Sequence, residues 1–185
     1  MSDLDAVARV AALLIERGET VAVAESSAGG LISAALLRVP GASRYFLGGA
    51  VVYTASAGAG LVGITPERMQ GLRSSSEPYA ELLAETVRER LGATWGLAET
   101  GAAGPTGNRY GDAAGHSCLA VSGPLEIKRT IELGSSDRAA NMTAFAIAAL
   151  ELLEWSFNSP RPGIAWQPAR RTAELPCGPL PSLGR

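Results

Sequence analysis

At 185 residues, with 46% hydrophobic and 18% charged side chains and a net charge of −2, the chain has the composition of one globular domain with a full core. No basic cluster exists outside the extreme C-terminus, so nucleic acid is not an expected partner. No apolar run reaches the roughly 18 residues of a membrane span, and none resembles a secretory leader. Cys118 and Cys177 form no disulfide framework and no metal-ligand spacing, so a cytoplasmic protein without metal or cofactor is expected.

Residues 2–16 read as an amphipathic helix. Leu4, Val7, Ala8, Ala11, Leu14 and Ile15 recur at helical spacing, Ser2 and Asp5 resemble a capping box, and Gly18 ends the element. Four small apolar residues at 21–24 show no polar alternation, the pattern of a buried strand. That strand closes in Glu25-Ser26-Ser27-Ala28-Gly29-Gly30 and passes at once into an apolar helix over 31–37, stopped by Pro40 and Gly41. A strand turning directly into a helix exposes free backbone N–H groups and the positive end of the helix dipole. A hydroxyl at Ser26 or Ser27 would sit where an anion or a developing oxyanion is held. Taken alone, the segment is more commonly a serine N-cap with two packing glycines.

Residues 43–49 read as a turn carrying Tyr45 and Phe46, and 50–54 as a second strand. A short helix over 55–64 is weakened by its internal glycines, about 1 kcal/mol each, and Thr65-Pro66 opens a further short turn. Ser76, as N-cap, and Pro78, in the first turn, open a clear helix that ends at Gly92. A third strand over 94–100 runs into a glycine-rich loop at 101–107. A strand at 115–122, a hairpin turn at Gly123-Pro124, an edge strand over 126–133 and a long helix over 137–155 follow. From residue 156 prolines crowd in without periodicity, which gives a domain over 1–155 and a tail over 156–185. Helices alternating with buried strands predict an α/β fold, a three-layer α/β/α sandwich around a mixed, mostly parallel sheet of about five strands. The first and third strands both end in polar glycine segments, and ligands of open α/β sheets bind at that edge.

Four motifs carry a family resemblance. Glu25 to Gly30 resembles E-S-C-T-G-G. Pro40-Gly41-Ala42-Ser43 with Phe46 resembles P-G-S-S-x-x-F, leading to Tyr53-Thr54 in place of Y-S-N. Ser76-Glu77 resembles an S-E helix opening, and Thr100 to Pro105 resembles T-G-I-A-G-P. Over roughly residues 1–155 the chain is similar to the CinA C-terminal domain family, the nicotinamide-nucleotide amidases, named also as competence/damage-inducible proteins. The resemblance implies hydrolysis of the carboxamide of nicotinamide mononucleotide to ammonia and nicotinate mononucleotide, in a homo-oligomer. It implies Ser26 as nucleophile, with Tyr53 beside it for substrate orientation or proton relay. Glu25, Ser27, Ala28, Gly29 and Gly30 would form the substrate corner, with the amides near Ala28 and Gly29 holding the oxyanion. Thr100, Gly101, Gly104 and Pro105 would line the nucleotide side.

Departures from the pattern are specific. The family places a lysine five residues after its tyrosine, resembling the base of a Ser–Lys pair, and here that position is Gly58. Ser27 stands for cysteine, Ala28 for threonine and Ala55 for asparagine. The G-D-R before the last helix reads Gly134-Ser135-Ser136, with Asp137-Arg138 two residues on. Lys128 is the only lysine among 16 basic residues and His116 the only histidine, so these are the candidate replacement bases. Their ordinary roles would be a solvated edge-strand lysine and a capping or core histidine. Glu25 either orients the serine corner by accepting backbone N–H bonds or is a plain carboxylate near a helix start. Three functions follow: an amidase, a catalytically impaired relative that binds a pyridine nucleotide, and an assembly module docking through its tail.

Overall fold

The computed structural model describes residues 3–158. Helix α1 (Asp3–Arg17) leads to strand β1 (Val21–Glu25), helix α2 (Leu31–Leu37), a 3-10 turn (Ala42–Arg44) and strand β2 (Phe46–Val51). The one-turn helix α3 (Ala55–Ala57) continues as a π turn (Gly58–Val62). Helix α4 (Glu77–Leu91), strands β3 (Trp95–Ala102), β4 (His116–Ser122) and β5 (Ile127–Glu132), and helix α5 (Arg138–Asn158) complete the chain.

The strands form one sheet in the order β2-β1-β3-β4-β5. The β2/β1 and β1/β3 pairings are parallel, and β3/β4 and β4/β5 are antiparallel. Four strands therefore point one way and β4 opposes them, a mixed sheet of the expected kind. The chain moves outward from β1 to β2, then back across β1 to β3. Right-handed crossovers in opposite directions require α2 and α4 to lie on opposite faces, and they do. Val21, Val23, Trp95, Leu97, Leu119 and Val121 pack under α1, α2 and α5. Ala22, Ala24, Ala98, Cys118 and Ala120 pack under α4. The alanines on the second face let α4 lie close: a Cβ on Gly96 would stand 2.0 Å from the Ala84 carbonyl oxygen.

The caps explain the helix ends. Ser76 Oγ accepts from the Tyr79 N–H at 3.4 Å, and Gly92 closes α4 in the left-handed region at φ 63°. Asp137 Oδ1 accepts from the Ala140 N–H at the start of α5.

Three expectations need correction. The second strand is β2 at Phe46–Val51, not residues 50–54. Gly48 and Gly49 read as turn residues but serve packing, since a Cβ on Gly49 would stand 2.1 Å from Ser33 Oγ on α2. The chain leaves the sheet after Val51, and Thr54 Oγ1 accepts from the Ala57 N–H to start α3. β3 continues through Gly101, where a Cβ would meet the His116 carbonyl oxygen at 2.3 Å, so the glycine is a close strand contact. Finally, α5 runs past 155, with Phe157 buried edge-on against Trp95, ring centroids 5.2 Å apart. Residues 159–185, most of the expected tail, lie outside the described residues.

Candidate functional site

The strand–helix corner is held by two carboxylates in register, Glu25 at the end of β1 and Glu99 beside it on β3. Alternation sends both to the α2 face, and both are fully buried. Glu25 accepts from the Ile32 and Ser33 N–H groups, each at 3.0 Å, and from Ser33 Oγ at 2.7 Å. It is thus the carboxylate at the start of α2, accepting from that helix's first turn and not from the serine corner. Glu99 holds the turn itself. Its Oε2 accepts from Ala28 N–H at 2.7 Å and Ser26 N–H at 3.1 Å, and its Oε1 accepts from Ser117 Oγ at 2.9 Å and from Ser27 Oγ. Burial pushes the Glu99 carboxyl above its usual range, while these four donors pull it back.

The seryl corner opens on a cleft of ≈ 710 Å³ at the carboxyl ends of β1 and β3, where the strand order reverses. Ser26, Tyr53, Thr100 and Gly101 line it together, and so does Gly58. The other expected residues do not reach its wall. Glu25, Ser27 and Ala28 are buried behind the corner as its scaffold, and Gly29 and Gly30 make the left-handed turn into α2 at φ 67° and 99°. Gly104 and Pro105 lie beyond the cleft, with the Gly104 carbonyl held by Arg138 Nη1 at 2.7 Å. The amides expected to hold an oxyanion are engaged, Ala28 N–H by Glu99 and Gly29 N–H by the Ser26 carbonyl at 3.1 Å. They brace the turn and do not open on the cleft.

Tyr53 is 60% exposed, and its Oη accepts from Arg138 Nη2 at 3.3 Å. Arg138 therefore ties the cleft tyrosine to the loop after β3. Ser75, also on the wall, has a left-handed backbone (φ 57°) that costs an L-residue roughly 1–2 kcal/mol. It is fastened on several sides. Its N–H donates to Thr100 Oγ1, its Oγ to the Gly101 carbonyl, and its own carbonyl oxygen contacts His116 Nε2 at 3.1 Å.

The CinA C-terminal domain model matches residues 4–157. The chain belongs to the CinA C-terminal domain family. A CinA-like protein of Gloeobacter violaceus is 39% identical over 152 residues, covering 78% of this chain and 36% of that protein. A CinA-like protein of Myxococcus xanthus is 43% identical over 140 residues, covering 74% and 33%. The chain thus spans about a third of the length of these curated relatives. Among solved structures, a CinA superfamily protein from Klebsiella pneumoniae superposes with TM-score 0.80 at 23% identity, over 85% of this chain and 99% of that one. The competence/damage inducible protein CihA of Agrobacterium tumefaciens gives TM-score 0.78 at 28% identity, over 86% and 98%.

Within this CinA fold neither candidate replacement base lies on the cleft wall. His116 is buried, with Nδ1 2.5 Å from Glu132 Oε1 and Nε2 on the Ser75 carbonyl. Lys128 pairs with Glu81 across β5 and α4 at 2.5 Å. Among the described residues, none lining the cleft is an aspartate, glutamate, histidine or lysine. Among the described residues no cluster of histidine, cysteine and carboxylates has metal-binding geometry, and no helix is long and apolar enough to cross a membrane.

Glu99 and Ser117 are the site residues that motif reading missed. The signal was present in T-W-G-L-A-E-T: alternation puts Glu99 on the face of Trp95 and Leu97, and a buried carboxylate needs donors.

Proposed function

We propose that this CinA-family chain binds a pyridine nucleotide in the cleft with its carboxamide against Ser26 Oγ, and that its amide hydrolysis is impaired. The observation that carries the reading is the meeting of Ser26, Tyr53 and Thr100 on one cleft wall with Gly58 where the resemblance calls for lysine. In the full reaction a serine Oγ attacks the carboxamide carbon, its proton passes through a base to the departing amine, ammonia leaves, and water hydrolyses the acyl-enzyme. Gly58 supplies no base, and among the described residues no carboxylate, histidine or lysine on the wall replaces it. Loss of such a base lowers the rate by on the order of 10²–10⁴. The engaged amides of Ala28 and Gly29 remove a second contribution, since oxyanion donors must be free to point at the reacting oxygen.

Calorimetric titration with nicotinamide mononucleotide, beside an ammonia assay on the same preparation, tests both halves. Saturable binding with ammonia release close to that of Ser26→Ala is expected. Absence of binding overturns the ligand, and rapid release abolished by Ser26→Ala overturns the impairment.

A further inference from the structure

Among the described residues the cleft carries one charged side chain. Arg109 lies on its wall with Tyr110, and no carboxylate shares that wall. Among the described residues Arg109 makes no ion pair. Its Nη2 donates to Tyr110 Oη at 2.8 Å and its Cζ stands 5.0 Å from the centre of the Tyr110 ring, which leaves most of the guanidinium donors for a ligand. The hydrogen bonds from Arg109 and Ser74 draw the Tyr110 phenol below its ordinary value, so its oxygen acts as acceptor toward the arginine.

Other charges nearby are already matched. Arg73, whose Cζ stands 5.4 Å from the centre of the Tyr110 ring, forks onto Asp112 at 2.6 and 3.1 Å, and His116 Nε2 lies 3.8 Å from the same carboxylate. The segment bearing Arg109 is preset. Asn108 Oδ1 accepts from Tyr110 N–H and Asp112 N–H, Asn108 Nδ2 donates to Asp112 Oδ2, and Asn108 N–H donates to the Asp112 carbonyl. An uncompensated cation on a fixed turn, beside an aromatic ring and in a concave wall free of acids, selects an anion attached to a planar body.

We propose that Arg109 is the anion anchor of this cleft and binds the phosphate monoester of the nucleotide, leaving the carboxamide on the pyridinium ring for Ser26. The inference rests on the nucleotide reading above and adds the residue that sets its specificity for a phosphorylated ligand. It moves the phosphate from the glycines after β3, of which Gly104 is off the wall, to a side chain on the following turn.

The test is titration of the full chain, wild type, Arg109→Gln and Arg109→Lys, with nicotinamide mononucleotide and with nicotinamide riboside, which lacks the phosphate. Arg109 is exposed, so both variants should keep the wild-type melting temperature. Wild type should bind the nucleotide roughly 10- to 100-fold more tightly than the riboside, as a charge-assisted contact implies. Arg109→Gln should erase that gap without changing riboside affinity. Arg109→Lys should keep part of it, and added salt should narrow it. Equal wild-type affinities for the two ligands, or an Arg109→Gln protein that still prefers the nucleotide, overturn the anchor and leave the cleft reading intact. Binding of neither ligand overturns both.

Discussion

Restoring the missing amine should restore the chemistry. Gly58 has helical backbone angles (φ −58°, ψ −46°), so a side chain there meets no backbone strain. A Cβ at this position would stand 3.5 Å from Val52 Cγ1, 3.9 Å from Tyr79 Oη and 4.0 Å from Ile64 Cβ, all ordinary contact distances. The four-carbon stem of a lysine starting there enters the cleft onto which Ser26 opens. Removing a helical glycine contributes about 0.4–1 kcal/mol of stability, which offsets part of the cost of desolvating an ammonium. Gly58→Lys should raise ammonia release from nicotinamide mononucleotide by on the order of 10²–10⁴, with a rate that climbs as pH rises through the lysine's titration. Gly58→Met, of similar length without the amine, should stay at background, and Gly58→Lys with Ser26→Ala should fall back to it. A Gly58→Lys protein that binds the nucleotide yet releases no more ammonia than Ser26→Ala would refute the argument.

Glu99 predicts a pH dependence of stability. Its carboxyl is raised in the folded protein by burial, so its contribution is complete below the unfolded value of about 4.3 and is lost as pH rises through the raised folded value. Urea melts from pH 4 to pH 8 should show the advantage of wild type over Glu99→Gln shrinking as pH rises; growth of that advantage would contradict the assignment. Cys118 is pushed up to about 11, chiefly by burial, so in a Cys177→Ser background the remaining thiol should react with a disulfide reagent at pH 8 on the order of 100-fold more slowly than free cysteine. Reaction at the free-thiol rate would show that the pocket under α4 opens readily. Ser76→Ala should destabilise the protein by about 1 kcal/mol through loss of the α4 cap, and an unchanged denaturation midpoint would count against that cap.

Much of the fold was legible because its signals are local. Unbroken apolar runs marked β1 and β3, Ser76 and Pro78 marked the start of α4, and the polar–apolar alternation of β5 marked it as an edge. What local signals misplaced were glycines whose reason is a neighbour distant in sequence. Gly48 and Gly49 look like a turn until α2 is laid against them, and Gly101 looks like loop until β4 comes within van der Waals distance. The site divides the same way. The motifs pointed to Ser26, Tyr53, Thr100 and Gly101, all of which reach the cleft, but not to which side of the corner each neighbour faces. Ala28 and Gly29 have amides that look free at a helix start, and only the placement of Glu99 on the adjoining strand shows that one is taken. Arg109 was silent because a single arginine in a loop has no pattern. Its meaning comes from the absence of carboxylates on the wall it joins.

Ser75 gives the cleft one stiff jaw. Three hydrogen-bonding partners on β3 and β4 weld that side to the sheet, in a backbone conformation that the chain would otherwise abandon. The stretch over 53–62 is held by its own turn hydrogen bonds and by one arginine contact at the exposed Tyr53, with a π turn beyond it. A nucleotide bound as proposed would meet a fixed reference on the Ser75 side.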